Sequence, residues 1–275
     1  MAAKTRGQDT GGGWLETVKT VVYAVLIALV IRTFAFEPFN IPSSSMVPTL
    51  LVGDYLFVSK YSYGYSRHSF PLSLAPFSGR ILETAPARGD VAVFKFPGDQ
   101  GEGQNRTDYI KRIVGLPGDS VQVIGGRLHI NAKPVDRLKS DDYVYREPRS
   151  RLIQKLTAYT ETLPGGVRHE IVEASDDAQL DNTPVFMVPP GHLFVMGDNR
   201  DNSSDGRDFL SWRERGRDGF EVPVRSKVQG WYVPMENLVG RAEFIFFSID
   251  DSATWLEPWK WPGAIRFNRL FSGIR

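Results

Sequence analysis

Residues 108–130 read Asp108-Tyr109-Ile110-Lys111-Arg112-Ile113-Val114-Gly115-Leu116-Pro117-Gly118-Asp119-Ser120-Val121-Gln122-Val123-Ile124-Gly125-Gly126-Arg127-Leu128-His129-Ile130. The second half is a strong hairpin signal: Ser120–Ile124 and Arg127–Ile130 each alternate polar and apolar residues, and Gly125-Gly126 separates them. A two-residue hairpin turn needs φ > 0 at its centre, which glycine adopts without steric cost. In the first half a lysine stands among Ile110, Ile113 and Val114.

The same β character extends outward. Tyr55–Val58, Val91–Phe96 and Leu193–Met196 are short apolar runs bounded by Gly, Asp or Pro, the pattern of buried strands. A second hairpin is expected around Pro164-Gly165-Gly166, and no helix of convincing length is expected after residue 36. The 18 prolines and 26 glycines fit a mainly β fold with many turns. With 275 residues and 41% hydrophobic content, the chain has material for one large domain or two small ones. The balance of 33 basic against 32 acidic residues, a net charge of +1, gives no reason to expect nucleic acid as a partner. The cysteine count is zero, which removes disulfides, thiolate metal sites and a cysteine nucleophile together. Charge rises between about 132 and 185, and residues 208–229 have an inserted character; both read as surface elaborations.

The N-terminal region differs. Trp14–Phe36 reads WLETVKTVVYAVLIALVIRTFAF, with Thr20–Ile31 uncharged. That uncharged run spans about 18 Å as a helix, short of the ~30 Å hydrocarbon core. A spanning helix would therefore need Lys19 and Arg32 to reach opposite interfaces. A buried core helix and a cleaved signal peptide, with Thr33-Phe34-Ala35 as its cut site, are the competing readings.

Most chemical signatures are absent from the sequence. No phosphate-binding loop, HExxH, GxSxG or SxxK occurs, and the four histidines lack metal-ligand spacing. Neither a metal nor a cofactor is implied. Two stretches stand apart: Ile41-Pro42-Ser43-Ser44-Ser45-Met46-Val47-Pro48-Thr49-Leu50, and the segment around Lys111. Burial among aliphatic side chains disfavours an ammonium, and a lysine neutral near pH 7 can take a proton from a serine hydroxyl. The other reading is that Lys111 packs its stem and leaves its head in water.

These residues resemble a known family. PSSSMVPTL (42–50), RGDVAVF (88–94), DYIKRIVGLPGD (108–119) and GDNRDNSSDGR (197–207) occur in the order found in type I bacterial signal peptidases, which are membrane-anchored Ser–Lys endopeptidases. The four motifs together form a very specific set, and the wider match, over the apolar N-terminal stretch and roughly residues 39–62, 88–96, 108–119, 190–207 and 231–250, covers about a third of the chain. The resemblance implies a fold in which one transmembrane helix precedes a β-rich catalytic domain with an inserted hairpin-rich subdomain. The expected divisions are a cytoplasmic tail over 1–13, an anchor over 14–36 and a periplasmic domain over 37–275. Within the last, the core is about 37–120 and 186–275, the inserted subdomain about 121–185, and 208–229 an extra insertion.

Carried over residue by residue, the resemblance makes Ser45 the nucleophile and Lys111 the general base. Ser43 joins the Ser45 backbone N–H in the oxyanion hole, and Ser203 orients the lysine amine. Asp198, Arg200, Asp205, Arg207 and Arg112 support the site through paired charges. Phe39, Ile41, Pro42, Met46, Leu50, Leu56, Val93, Tyr109 and Ile110 line two shallow pockets for small side chains one and three residues before the cut. Two departures stand out: relatives often lack the 208–229 segment, and the middle serine, Ser44, is often glycine in the family.

The expected function is removal of signal peptides from exported preproteins after Ala-x-Ala type sites, at the bacterial inner membrane and on its periplasmic side. Expected partners are those signal peptides and the lipid bilayer, with contact to the translocation machinery also allowed. A self-cleaving repressor would need an N-terminal DNA-binding domain where this chain has an apolar segment. A specialised conjugation or secretion maturation protease, and a catalytically inactive membrane-anchored binding module, are the alternatives. The intact Ser45, Lys111 and Ser203 set argues against the second.

Overall fold

A computed structural model describes residues 13–70, 77–98, 107–147, 152–215, 221–253 and 256–275, with side chains undescribed over 209–229. The N-terminal tail, residues 71–76, 99–106, 148–151 and 254–255, and the tip of the 208–229 segment lie outside the described residues.

Helix α1 spans Gly13–Phe34 and buries no residue against the rest of the chain. Its 22 residues have a mean hydropathy of 1.9 over the most apolar window and reach about 33 Å at 1.5 Å per residue, enough for a ~30 Å hydrocarbon core. The helix ends two residues before the expected limit, because Phe36 already belongs to strand β1, Phe36–Asn40. Among the described residues no later helix exceeds Trp261–Ala264 in the α class.

The expected strands form. Strands β2 (Asp54–Ser59), β3 (Val91–Lys95), β4 (Asp108–Gly115), β5 (Ser120–Ile124) and β6 (Arg127–Ile130) come first. They are followed by β7 (Ile153–Thr162), β8 (Arg168–Glu173), β9 (His192–Met196) and β10 (Leu238–Ser248). One sheet of eight strands has the order β1-β2-β10-β3-β4-β9 followed by Val233–Pro234, with Ser272–Gly273 paired to β10. The β5–β6 pair turns through Gly125 (φ 52°) and Gly126 (φ 72°), as the Gly-Gly signal requires. The β7–β8 pair turns at Pro164-Gly165-Gly166.

Burial on both faces explains why β3 is continuously apolar. Val91 and Val93 enter one cluster with Ile41, Met46, Leu50, Leu56, Val58 and Ile245. Ala92 and Phe94 enter another with Ile113, Leu193, Val195 and Trp231. Alternate side chains of a strand point to opposite faces, so both must be apolar when both faces are covered. Two further four-stranded sheets form between residues 120 and 187. The one holding β5 and β6 packs Val121, Val123, Leu128 and Ile130 against Val114, Phe194 and Met196 of the large sheet.

A groove between two strand edges and its buried charges

Strand β1 leaves the sheet at its edge and runs into the Ile41–Leu50 loop. Met46, Val47 and Leu50 are fully buried there and act as plugs that fix the serine turn above the core. Ser45 is itself buried, at 8% exposure. Its Oγ lies 2.7 Å from Lys111 Nζ and 3.4 Å from Ser43 Oγ.

Lys111 is carried by β4, is 4% exposed, and also donates to the Ile110 carbonyl oxygen at 3.0 Å. Its Nζ lies 5.4 Å from the centre of the Tyr109 ring. Of the two readings left open by the sequence, the buried one holds. Burial pushes the ammonium down from 10.5 to about 8, and the Asp205 and Asp198 carboxylates draw it part of the way back.

The segment after β9 holds both dyad elements from behind. Asn199 N–H donates to the Ser45 carbonyl oxygen (3.1 Å), Asn199 Nδ2 to the Ser44 carbonyl (3.2 Å), and Asn202 Nδ2 to Ser44 Oγ (2.8 Å). Ser44 is not among the positive-φ residues, so serine is accommodated where relatives often carry glycine. Gly197 allows the close approach: a Cβ there would collide with the Ser203 side chain and the Ser45 carbonyl oxygen.

The expected supporting charges are all buried. Asp198 receives a bidentate pair from Arg112, Nε at 2.8 Å and Nη2 at 2.7 Å, and a bond from Thr49 Oγ1 at 2.6 Å. Burial alone would raise the Asp198 carboxyl, but Arg112 outweighs it and holds the group below the usual carboxylate range. Arg112 also donates to the carbonyl oxygens of Gly89 (2.8 Å) and Arg275 (3.0 Å). Asp205 receives Arg207 Nε and Nη2, each at 2.9 Å, and the Gly197 N–H at 2.9 Å. Arg200 pairs with Glu161 of β7, Nη1 to Oε1 at 2.9 Å, and its second contact runs from Nη2 to Oε2. Ser203 Oγ is buried beside Gly197 and Asp205 without a well-aligned hydrogen bond; the side-chain bond of Lys111 goes to Ser45.

A cavity of about 540 Å³ opens at the dyad, lined by Phe39, Ile41, Pro42, Val93, Tyr109 and Ile110 together with Asn40, Ser43–Ser45 and Lys111. Met46, Leu50 and Leu56, also expected as lining, sit in the core cluster behind Ile41 and Val93. Thr107, Asp108, Asn202 and Ser204 complete the wall and were not expected from the sequence. The groove runs between two strand edges. β4 pairs with β9 only from Arg112 onward, so among the described residues Asp108–Lys111 have β3 on one side and no strand on the other. β1 has β2 on one side and is the outermost strand on the other. Such edges are templates for an added extended chain.

One sequence reading needs correction. Residues from 132 to 185 are not wholly a solvated elaboration, since Glu161 and His169 are buried at 0% and 5% exposure. They belong to the charge network behind the site, with His169 Nε2 3.5 Å from Glu161 Oε2. Burial, then the Arg112 charge, pushes the His169 ring down to about 4. A lone Glu in a β-run and a His without metal spacing carried no signal of this role, because the partners are distant in sequence.

Comparisons with known proteins point to one family. The family model described as "Signal peptidase, peptidase S26" matches residues 14–247. Signal peptidase I of Rickettsia canadensis is 36% identical over 93% of this chain and 92% of its own length. Signal peptidase I of Rickettsia typhi is 34% identical over 94% of this chain and 95% of its own. A crystal structure of a signal peptidase I from Enterococcus faecalis is 22% identical, with 57% of this chain and 97% of that one covered and a TM-score of 0.29.

Proposed function

This chain belongs to the signal peptidase family, peptidase S26, and on that premise we propose that it cleaves signal peptides from exported preproteins with a Ser45–Lys111 dyad. The observation that carries the reading is the 2.7 Å contact between Ser45 Oγ and a Lys111 amine whose burial brings its pKa to about 8. The family makes it a membrane-anchored protease, and α1 is the candidate anchor.

In this mechanism neutral Lys111 takes the Ser45 proton as Oγ attacks the carbonyl carbon of the scissile peptide bond. The tetrahedral oxyanion is received by the Ser45 backbone N–H and the Ser43 hydroxyl. Collapse breaks the C–N bond, the lysine ammonium gives its proton to the leaving amine, and an ester remains on Ser45. Water, deprotonated by the same amine, then hydrolyses the ester and restores the hydroxyl. Asp205 and Asp198 make the transient ammonium less costly in a buried site and so restore part of the basicity that burial removes. Ser203, beside Gly197, confines the space around the dyad.

The preprotein would lie as an extended strand between β1 and the free edge of β4. Alternate side chains then point to the same wall, so residues one and three before the cut enter the apolar surface of Phe39, Ile41, Val93 and Ile110. Shallow pockets admit alanine and reject larger groups by only about 1–3 kcal/mol per methylene. Discrimination at one pocket is thus weak, and an Ala-x-Ala pattern engages both. Placement at the bacterial inner membrane, with the groove on the periplasmic side, follows from a substrate that emerges there during export.

The test is incubation of the purified protein with a preprotein bearing an Ala-x-Ala site, beside Ser45→Ala and Lys111→Ala variants. Cleavage by wild type and loss in both variants is expected. Equal cleavage by either variant would overturn the dyad.

A further inference from the structure

The passage from α1 to the groove contains no loose linker. Ala35 N–H still donates to the Ile31 carbonyl oxygen at 2.8 Å, and Phe36 is already paired with Ser59. The intervening Ala35 carbonyl accepts from Lys60 N–H at 2.9 Å, and the Phe34 carbonyl accepts from Tyr65 Oη at 2.7 Å. The joint is therefore bonded to the catalytic domain through the backbone on both sides of the turn.

Charge braces it further. Glu37 on β1 accepts from Arg32 of the last helical turn, Nη2 to Oε1 at 2.9 Å. Its other oxygen, Oε2, lies 2.9 Å from Lys60 Nζ. Lys60 is 2% exposed and donates also to the Ser69 carbonyl. Arg32 thus ties the last turn of the helix to a carboxylate of the domain. Aromatic edges close the rest: Phe34 meets Tyr65 and Phe70 at 5.9 Å each, and Phe36 meets Phe57 at 6.1 Å and Tyr61 at 5.7 Å. A joint held by backbone bonds, a two-sided carboxylate bridge and four ring contacts resists both bending and extension.

The far end of the same strand is the groove wall, since Phe39 and Asn40 line the cavity. The path from Ala35 to Asn40 is at most about 17 Å at ~3.3 Å per residue. From this we infer that the α1–β1 joint is a ruler: Glu37, with Arg32, Lys60 and Tyr65, fixes the distance between the membrane end of the anchor and the dyad. It thereby selects substrates by the length of extended chain between their apolar segment and their cleavage site. Glu37 is a positioning residue in this role and touches neither substrate nor dyad. The inference rests on the protease reading above and assigns the setting of this spacing to named residues of the α1–β1 joint.

The matching substrate has an apolar segment in the same bilayer, followed by about five extended residues before the cut. Discrimination by spacing acts through effective concentration. A spacer too short cannot reach the groove, and one too long dilutes the site near it.

The experiment uses the full chain in liposomes and a series of membrane-inserted substrates whose spacer grows one residue at a time. A soluble peptide with the same cleavage site and no apolar segment serves as control. Wild type should show a sharp optimum in kcat/KM against spacer length. A Gly-Ser insertion between Ala35 and Phe36, adding about 7 Å, should move the optimum by about two residues. Glu37→Gln and Tyr65→Phe should broaden it. All three should cut the soluble peptide within about twofold of wild type. An optimum unmoved by the insertion, or unbroadened by both substitutions, overturns the ruler. So does an equal slowing of soluble and inserted substrates. Failure of wild type to cut either kind would instead sink the protease reading.

Discussion

Lys111 Nζ lies 2.7 Å from Ser45 Oγ although the two residues are 66 positions apart in the chain. One sits on a strand inside the large sheet and the other on a loop plugged into it by Met46 and Leu50. The segment from Gly197 to Arg207 fastens both, through Asn199 to the serine carbonyl and through Asp198 to Arg112, the neighbour of the lysine.

This contact sets a pH dependence. The base must be neutral, and its pKa stands at about 8. Activity on a soluble peptide should therefore climb from acid pH to a plateau above about pH 8, falling about tenfold per unit below it. Steady-state kcat/KM from pH 5 to pH 10 checks this. A profile flat down to pH 5 would contradict a buried lysine base.

The same burial costs stability. The ammonium is disfavoured in the fold, so the unfolded chain binds the extra proton between pH 8 and 10.5. The penalty is fully present below pH 8 and vanishes above 10.5, with a ceiling of about 3 kcal/mol. Lys111→Met should be inactive yet more stable than wild type at pH 7 in urea unfolding, with the gap closing as pH rises through that window. An equal or lower stability at pH 7 would count against the burial argument.

Asp205 raises the basicity of Lys111 while pairing with Arg207. Asp205→Asn should shift the acid limb of the profile to lower pH. It should also leave the Arg207 charge buried without its partner, which costs about 3–5 kcal/mol. A destabilised variant whose limb does not move would show that the carboxylate acts only on the fold.

His169 supplies an acid-labile element behind the site. Its folded pKa of about 4 lies below the ordinary 6.5, so its contribution is complete above pH 6.5 and is lost as pH falls towards 4. The loss has a ceiling of about 3 kcal/mol. His169→Gln should flatten the fall in unfolding free energy between pH 7 and pH 4. An unchanged slope would mean that other groups govern it.

Gly197→Ala tests the close approach at the dyad. A methyl group there meets the Ser203 side chain and the Ser45 carbonyl oxygen, and one of them must move. A displacement of about 1 Å at a nucleophile can cost about a hundredfold in rate. The expected outcome is a fall of that order in kcat with the fold retained by circular dichroism. Wild-type kcat would show that the serine turn has room to spare.

Much of this protein could be read from local pattern. The Gly125-Gly126 hairpin, the apolar run of β3 and the helix over the N-terminal apolar stretch are legible because turn chemistry and periodicity are properties of neighbouring residues. The blocks carrying Ser45, Lys111 and Asp198 were legible as a set. Tertiary structure decided what no neighbouring residues encode. Lys111 among isoleucines could equally have reached water, and only the closing of β3, β4 and the serine loop around it removes that solvent. Met46, Leu50 and Leu56 carry the right chemistry for a pocket wall, yet packing places them one layer behind it. Glu161, His169 and Glu37 gave no local signal, because what each does is defined by a partner brought from elsewhere in the chain. Sequence determined which elements exist and which groups could react; the assembled sheet decided which of them lose water and how far the dyad stands from the end of α1.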